Sequence, residues 1–395
     1  MNYIISCADL PPRLAEIYRL AEEEFDTYGA FFLEDGYVIS LCERIDAFKS
    51  TAHAMETAAS ELRKDRAAAI YALFVCRAMY ERELFCENLS LFTFPEEKYP
   101  FLSLLCFLPH VEGIYRRLKG IGLPDDVVRN TIGQFEDCVF LHKERFGCLG
   151  FAKRYFDHMQ RYVDMRILNI GRLRFEIYTV KDACVLESRL SGEQVIFQCR
   201  GEMNSEGLYA DTPPVTDGDE GFTAFFEETD SEYAGTPVGK NGRCQSDAIR
   251  LSKSEYFIRV PDGADCIAVH IPANGALTRK SCEESYTRAL EIFRKIYPDR
   301  NFKAFRCHSW MMAPELGEIL KPGSNLLDFQ APYLKHPCKT RGEDVFNFVF
   351  KTPNPGRYED LPEETSLQRA LKATYLSGGY LYEYNGIFPI REDKK

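Results

Sequence analysis

The chain contains no G-x-x-x-x-G-K-[ST] and no G-x-G-x-x-G, so the two common nucleotide fingerprints are missing. It has no G-x-S-x-G, which removes the nucleophile elbow of an α/β-hydrolase-like esterase. None of its fourteen cysteines pair as C-x-x-C, and its seven histidines do not sit near paired cysteines at ligand spacing. No metal site is therefore expected. No apolar run approaches the roughly 18 residues of a membrane span. Residues 1–9 lack a basic stretch and a long apolar one, so no signal peptide is expected. A basic excess is also missing. The formal net charge is −11, the reverse of a nucleic-acid footprint. These absences leave a soluble cytoplasmic protein as the expectation. Cys76, Cys106 and Cys266 lie among apolar neighbours and read as buried free thiols.

What is present is ample material for packed cores. Hydrophobic residues make up 45% and aromatic residues 13% of 395 positions, a length that suits two or three domains. Residues 1 to about 165 carry a helical rhythm. Asp9 with Pro11 and Pro12 makes a cap and first turn, followed by Leu14, Ile17, Tyr18 and Ala21. Helical patterns continue over Arg66–Leu84, Phe101–Leu118, Asp125–Phe140 and His142–Met165. No repeat signature at 34 or 40 residues is evident.

Near residue 165 the period changes from 3.6 to 2. Arg172, Arg174, Glu176 and Tyr178 alternate with Leu173, Phe175 and Ile177, as in a half-buried strand. Further strands are expected at Gln194–Arg200, Tyr256–Val260, Asp265–Ile271, Ala304–Trp310 and Val345–Phe350. Asn385-Gly386 between two strand-like runs predicts a hairpin. Helices are expected at 281–297 and 365–376, and the acidic stretch 203–247 reads as an insertion or loop.

The most informative segment is 265–285. Ile267, Val269 and Ile271 face one side of a strand and Cys266 and Ala268 the other, both largely apolar. Pro272 ends that strand, Gly275 permits a tight loop, and a helix follows. Ser281 and Glu284 have capping-box spacing, with Thr278 as an earlier cap candidate. Strand, loop and helix start together gather free N–H groups and a positive helix end, a setting for phosphate. An ordinary strand-loop-helix unit without ligand fits the same residues.

Five runs carry a resemblance: Phe305–Pro314 (FRCHSWMMAP), Ser324–Gln330 (SNLLDFQ), Leu361–Ala370 (LPEETSLQRA), Ile170–Glu176 (IGRLRFE) and Val269–Pro272 (VHIP). In this order they resemble the two-domain bacterial acyltransferases with a helical N-terminal domain and a GNAT-like C-terminal domain. The resemblance implies an α+β or α/β fold, with a helical domain over 1–165 followed by a GNAT-like mixed β-sheet domain with flanking helices over 166–395. It implies acetyl-CoA or another acyl-CoA as co-substrate, no metal, and transfer of the acyl group to an amine of a small molecule. No nucleic acid or membrane partner is expected, and the protein would be a monomer or homodimer. In such folds the CoA pyrophosphate lies on the loop after a central strand. That places Val269, Ile271, Asn274, Gly275, Ala276, Thr278, Arg279 and Ser281 at the cofactor. The usual Arg/Gln-x-x-Gly-x-Gly/Ala loop is here reduced to Asn274-Gly275-Ala276. A catalytically silent GNAT-like ligand-binding or sensor protein is the alternative function.

Amide formation from a thioester needs a base for the amine, a donor for the developing oxyanion and an acid for the leaving thiolate. Glu176 is a candidate base or substrate ligand, or an ion-pair partner beside Arg172 and Arg174. His270, just before the strand-ending proline, is a candidate at the thioester or a satisfied core histidine. His308 and Ser309 are candidate base and hydroxyl acid, or packing around Trp310, the only tryptophan. Cys307 is a weaker candidate, because the acyl donor is already a thioester.

Overall fold

A computed structural model describes residues 10–213, 220–272, 275–352 and 355–391. Asp9, expected as a cap, lies outside them. The chain divides into two compact units, Met1–Ile170 and Gly171–Lys395. A helical region followed by a mixed-sheet region with helices is the expected fold class.

The first unit contains α1 (Pro12–Tyr28), α2 (Tyr37–Ile45), α3 (Ala52–Lys64), α4 (Arg66–Ala78), α5 (Arg82–Glu87), α6 (Leu102–Ile121), α7 (Asp125–Phe146) and α8 (Phe156–Val163), then β1 (Ile167–Ile170). α4 is its centre and buries ten of thirteen residues, from Ala68 to Ala78. The Asp65 side chain caps it by accepting the Ala68 N–H. Two sequence expectations need correction. Arg66–Leu84 is two helices, α4 and α5. His142–Met165 is also divided, because Gly147 at φ 78° ends α7 and α8 begins afresh. No helix among the described residues is long and apolar enough to cross a membrane.

The second unit is built on two sheets. Its strands are β2 (Leu173–Thr179), β3 (Ala183–Ser188), β4 (Gln194–Gln198), β5 (Arg200–Met203), β6 (Phe222–Glu228), β7 (Glu232–Pro237), β8 (Ile249–Ser252), β9 (Tyr256–Val260), β10 (Asp265–His270), β11 (Ala304–Ser309), β12 (Leu334–Pro337) and β13 (Tyr384–Pro389). Its helices are α9 (Arg279–Ile296), α10 (Leu316–Ile319), α11 (Asn325–Gln330) and α12 (Ser366–Leu376). One sheet runs β2-β10-β11-β13-β12, and the second runs β5-β6-β7-β4-β3-β9 with β8 beside β7. β10 pairs antiparallel with β2 and parallel with β11. A core of Val180, Val185, Ile196, Val260, Cys266 and Ile387 joins the sheets.

Three expectations fail here, each for a tertiary reason. The stretch 203–247 is more than a loop, since β6 and β7 lie in it and belong to the second sheet. Val345–Phe350 is a wide helical turn, not a strand. Phe346 and Phe350 stack 6.1 Å apart, and Phe346 meets Tyr375 of α12 at 5.0 Å. Asn385-Gly386 forms no hairpin. Both residues sit inside β13, which pairs with β11 on one side and β12 on the other. A Cβ on Gly386 would lie 2.8 Å from the Met312 sulfur and 2.9 Å from the Tyr333 ring, so close packing, not a turn, calls for glycine there.

Candidate active site

The alternation of β2 and β10 separates the first sheet into an apolar and a polar face. On the apolar face Phe305 meets Tyr286 of α9 at 4.8 Å and Phe175 at 6.0 Å. Val269 shares the side of Ile267 and is buried. Tyr286 and Tyr333 hydroxyls are 2.7 Å apart. Cys307 also lies in this layer, 1% exposed, and burial pushes its thiol up to about 12. Burial thus keeps the thiol protonated near neutral pH, which disfavours it as a nucleophile.

The other face carries the chemistry. Register sets Arg174 opposite His270, Glu176 opposite Ala268, and Ala268 opposite Arg306. Asn385 lies opposite both His308 and His336. The ladder between β10 and β11 ends at Ala268–Arg306. Beyond it β10 continues to His270 on β2 alone, and β11 continues to Ser309 on β13 alone. The two parallel strands therefore part at the level of His270 and His308, leaving backbone groups on the facing edges without ladder partners.

His270 Nε2 lies 3.1 Å from Glu176 Oε2, with the imidazole 44% exposed and the carboxylate side chain 4% exposed. Glu176 accepts from Nε2–H, and in the neutral ring this leaves the lone pair on Nδ1. The result is a reachable imidazole oriented by a shielded carboxylate. His308 is exposed to solvent. Partial desolvation by neighbouring protein, then the like charges of Arg306 and His270, lower its pKa. Arg306 is held over the Tyr178 ring at 4.8 Å and donates to Asn385 Oδ1 at 2.6 Å. His336, 1% exposed, donates from Nδ1 to Gln198 Oε1 at 3.2 Å.

Glu176, His270 and His308 thus converge, but Ser309 does not. Alternation turns Ser309 to the opposite face, where its Oγ accepts the Met311 N–H at 3.1 Å and caps a short 3₁₀ turn. Arg306, Asn385 and His336 escaped the sequence reading. The alternation Arg306, His308 along β11 was the available signal for the first of them.

Of the expected cofactor residues, Asn274 lies outside the described residues. Gly275 holds φ 82°, where a side chain would strain the backbone. Thr278 is the cap of α9, and its Oγ1 accepts the Ser281 N–H at 3.3 Å. The Ser281–Glu284 capping box therefore lies one turn too late. Ser281 Oγ donates to the Thr278 carbonyl at 2.9 Å. Arg279 is turned onto Glu283 at 2.8 Å on the exposed helix surface. Ile271 is half-buried, while Gly275, Ala276, Thr278 and Arg279 are exposed. The first turn of α9 contains no acidic residue of its own, and the Glu283 and Glu284 carboxylates are held by the Arg279 and Lys280 side chains.

Arg172, on the approach to β2, reaches this loop. Its Nε donates to the Ala276 carbonyl at 3.2 Å. Its Nη2 donates to the Pro272 carbonyl at 3.0 Å and the Gly275 carbonyl at 2.9 Å. A shallow concavity of about 590 Å³ runs from Arg172 along α9. Glu283, Glu284 and Glu291 line it, which suits it poorly to phosphate. Among the described residues no group of histidine, cysteine and carboxylate side chains could hold a metal.

Comparison with curated proteins finds no match. Solved structures do match. One is an acyltransferase in complex with CoA and 10C-teicoplanin, at TM-score 0.59 and 18% identity, covering 97% of both chains. A second is an acyltransferase in complex with decanoyl-CoA and teicoplanin, at TM-score 0.57 and 18% identity with the same coverage. A third, with decanoyl-CoA alone, has TM-score 0.57 and 15% identity, covering 98% of this chain and 100% of the other. Such identities establish a shared fold. The family match is more specific: residues 167–388 fit the GNAT-like C-terminal domain. The chain belongs to the GNAT-like C-terminal domain family.

Proposed function

We propose that the protein is an acyl-CoA-dependent N-acyltransferase that moves an acyl group to an amine of a small molecule. The observation that carries this reading is the parting of β10 and β11 beside the hydrogen-bonded His270–Glu176 pair. Family membership and the acyl-CoA complexes of the solved neighbours support it.

On this reading the CoA pyrophosphate lies at the loop before α9, and the pantetheine arm enters between the parted strands. The thioester then sits level with His270. His270 Nδ1 takes a proton from the amine as its nitrogen attacks the carbonyl carbon. Unpaired donors on the strand edges face the oxygen that gains charge. The tetrahedral adduct collapses with loss of the CoA thiolate, and the proton taken up by His270 is passed on to restore the thiol. Glu176 holds the imidazole in the required tautomer, and His308 lines the opposite edge. The polar face between the sheets holds Arg306 and Arg174 as cations, which favours an acceptor bearing polar or anionic groups besides its amine.

The reduced loop Asn274-Gly275-Ala276 favours a second reading, a silent ligand-binding protein. The two separate in one pair of experiments. CoA is titrated calorimetrically, and thiol release is followed from acetyl-, octanoyl- and decanoyl-CoA with polyamines, amino sugars, amino acids and teicoplanin. CoA binding with acceptor-dependent thiol release is expected. CoA binding without turnover on any acceptor points to the silent protein, and absence of both defeats the acyltransferase reading.

A further inference from the structure

We propose that Arg172 is a positioning residue for the donor site: it sets residues 275–278, directly ahead of α9, in an anion-receiving conformation. The inference rests on the donor site proposed above and adds a residue from a different strand to it.

The geometry is specific. One guanidinium holds three carbonyls, those of Pro272, Gly275 and Ala276, which stand on both sides of the two loop residues outside the described set. In a trans peptide the carbonyl of one residue and the N–H of the next point in opposite directions. Drawing the Gly275 and Ala276 carbonyls towards Arg172 therefore turns the N–H groups of Ala276 and Leu277 away from it. These two donors join the Arg279 and Lys280 N–H groups of α9, which have no intrahelical acceptor, while the Ser281 N–H is held by Thr278 Oγ1. Gly275 at φ 82° makes the sharp bend this arrangement requires.

Arg172 is itself fixed. Its backbone N–H donates to Ser285 Oγ at 2.8 Å, and that hydroxyl donates to the Ser281 carbonyl at 2.7 Å. Gly171 holds φ 61°, and a Cβ there would meet Ser285 Oγ at 2.5 Å. The start of β2, the first turns of α9 and the loop are therefore tied to one another. Burial lowers the Arg172 pKa, but no carboxylate neutralises it among the described ion pairs, so carbonyl dipoles are its partners. A guanidinium acting from the neighbouring strand thus constrains the carbonyls of residues 272, 275 and 276.

Lysine distinguishes geometry from charge. An ammonium keeps the positive charge but lacks the planar fork that spans three carbonyls. If Arg172 acted only by attracting phosphate, Arg172→Lys would keep CoA affinity. If it acts by shaping the loop, Arg172→Lys weakens CoA about tenfold or more, as expected when a preorganised site must be ordered on binding. It also raises KM for acyl-CoA while leaving kcat at saturation within about twofold, because the reacting atoms are elsewhere. An acyl-pantetheine donor has no pyrophosphate, so its kcat/KM is unchanged by the substitution.

The test combines calorimetric titration of CoA with amide hydrogen exchange of the ligand-free protein, for wild type and Arg172→Lys. The expected result is faster exchange at residues 275–278 in the variant, unchanged exchange in the rest of α9, and the tenfold loss of CoA affinity. Wild-type CoA affinity in the variant overturns the inference and leaves the proposed function standing. Faster exchange throughout α9 and β2 also overturns it, since Arg172 would then be a general stabiliser. If the wild type itself binds no CoA, the proposed function fails and the inference falls with it.

Discussion

The two faces of the β2-β10-β11-β13-β12 sheet come from the same strands and serve opposite ends. On one face Phe175, Phe305, Tyr286 and Phe388 contact one another through ring edges and faces, with centroids 4.8 to 6.1 Å apart. On the other face Glu176, His270, Arg306, His308, Asn385 and His336 form a polar row, in which most members hold a protein partner. The first face fixes where the strands lie. The second uses that rigidity to hold ionisable groups, among them Glu176 and His336, which are buried where an unpaired polar group is costly. One β period of two residues sets both packing and chemistry, so moving a strand by one residue would exchange the two.

The largest expected effect comes from emptying the polar face at its open end. His270→Ala should lower kcat by about 10²–10⁴ with little change in CoA affinity and in melting temperature. Glu176→Gln should reproduce a large part of that loss, because the amide can present its N–H to Nε2 and favour the other tautomer. Steady-state kinetics with calorimetry checks both, and full activity in either variant removes that residue from the mechanism. The apolar face should answer in the opposite way. Phe305→Ala removes a 4% exposed ring from this aromatic layer and should cost about 3–5 kcal/mol in urea unfolding. If that variant loses turnover without losing stability, the division between the faces is wrong.

A smaller effect separates the histidines. Burial, then the like charges of Arg306 and His308, lower the His336 pKa from 6.5 to about 3. The unfolded chain accepts a proton below pH 6.5 that the folded state refuses. Stability is therefore complete above pH 6.5 and declines as pH falls towards 3, by about 1.4 kcal/mol per unit for this group. Between pH 7 and pH 5, His336→Gln should lose about 2 kcal/mol less than wild type in urea unfolding. Equal losses would mean that His336 takes up its proton in the folded protein.

How much of this could be read from the chain depended on range. Local signals worked where neighbours in sequence decide the outcome. Alternation from 172 to 178 gave β2, and Pro272 stands just past the end of β10 at His270. Signals failed where distant residues decide. The short apolar run at 345–350 fits a strand or a buried turn equally, and Tyr375 settles it. Asn385-Gly386 has the composition of a turn, yet Met312 and Tyr333 take the space that a side chain at 386 would fill. For the candidate site, the strand-loop-helix segment was visible, and so were the residue types at 176, 270 and 308. The hydrogen bond between His270 and Glu176 was not, since it depends on β2 lying antiparallel beside β10. Nor was the reach of Arg172, which crosses about a hundred residues of sequence to three backbone carbonyls.

On the proposed function an acyl-CoA enters where β10 and β11 part and lays its phosphates on the loop before α9. Amide hydrogen exchange with and without decanoyl-CoA should then slow at residues 275–282 and at the parted ends of β10 and β11, 268–270 and 307–309. Unchanged exchange in these segments, with protection confined to another part of the chain, would contradict that placement.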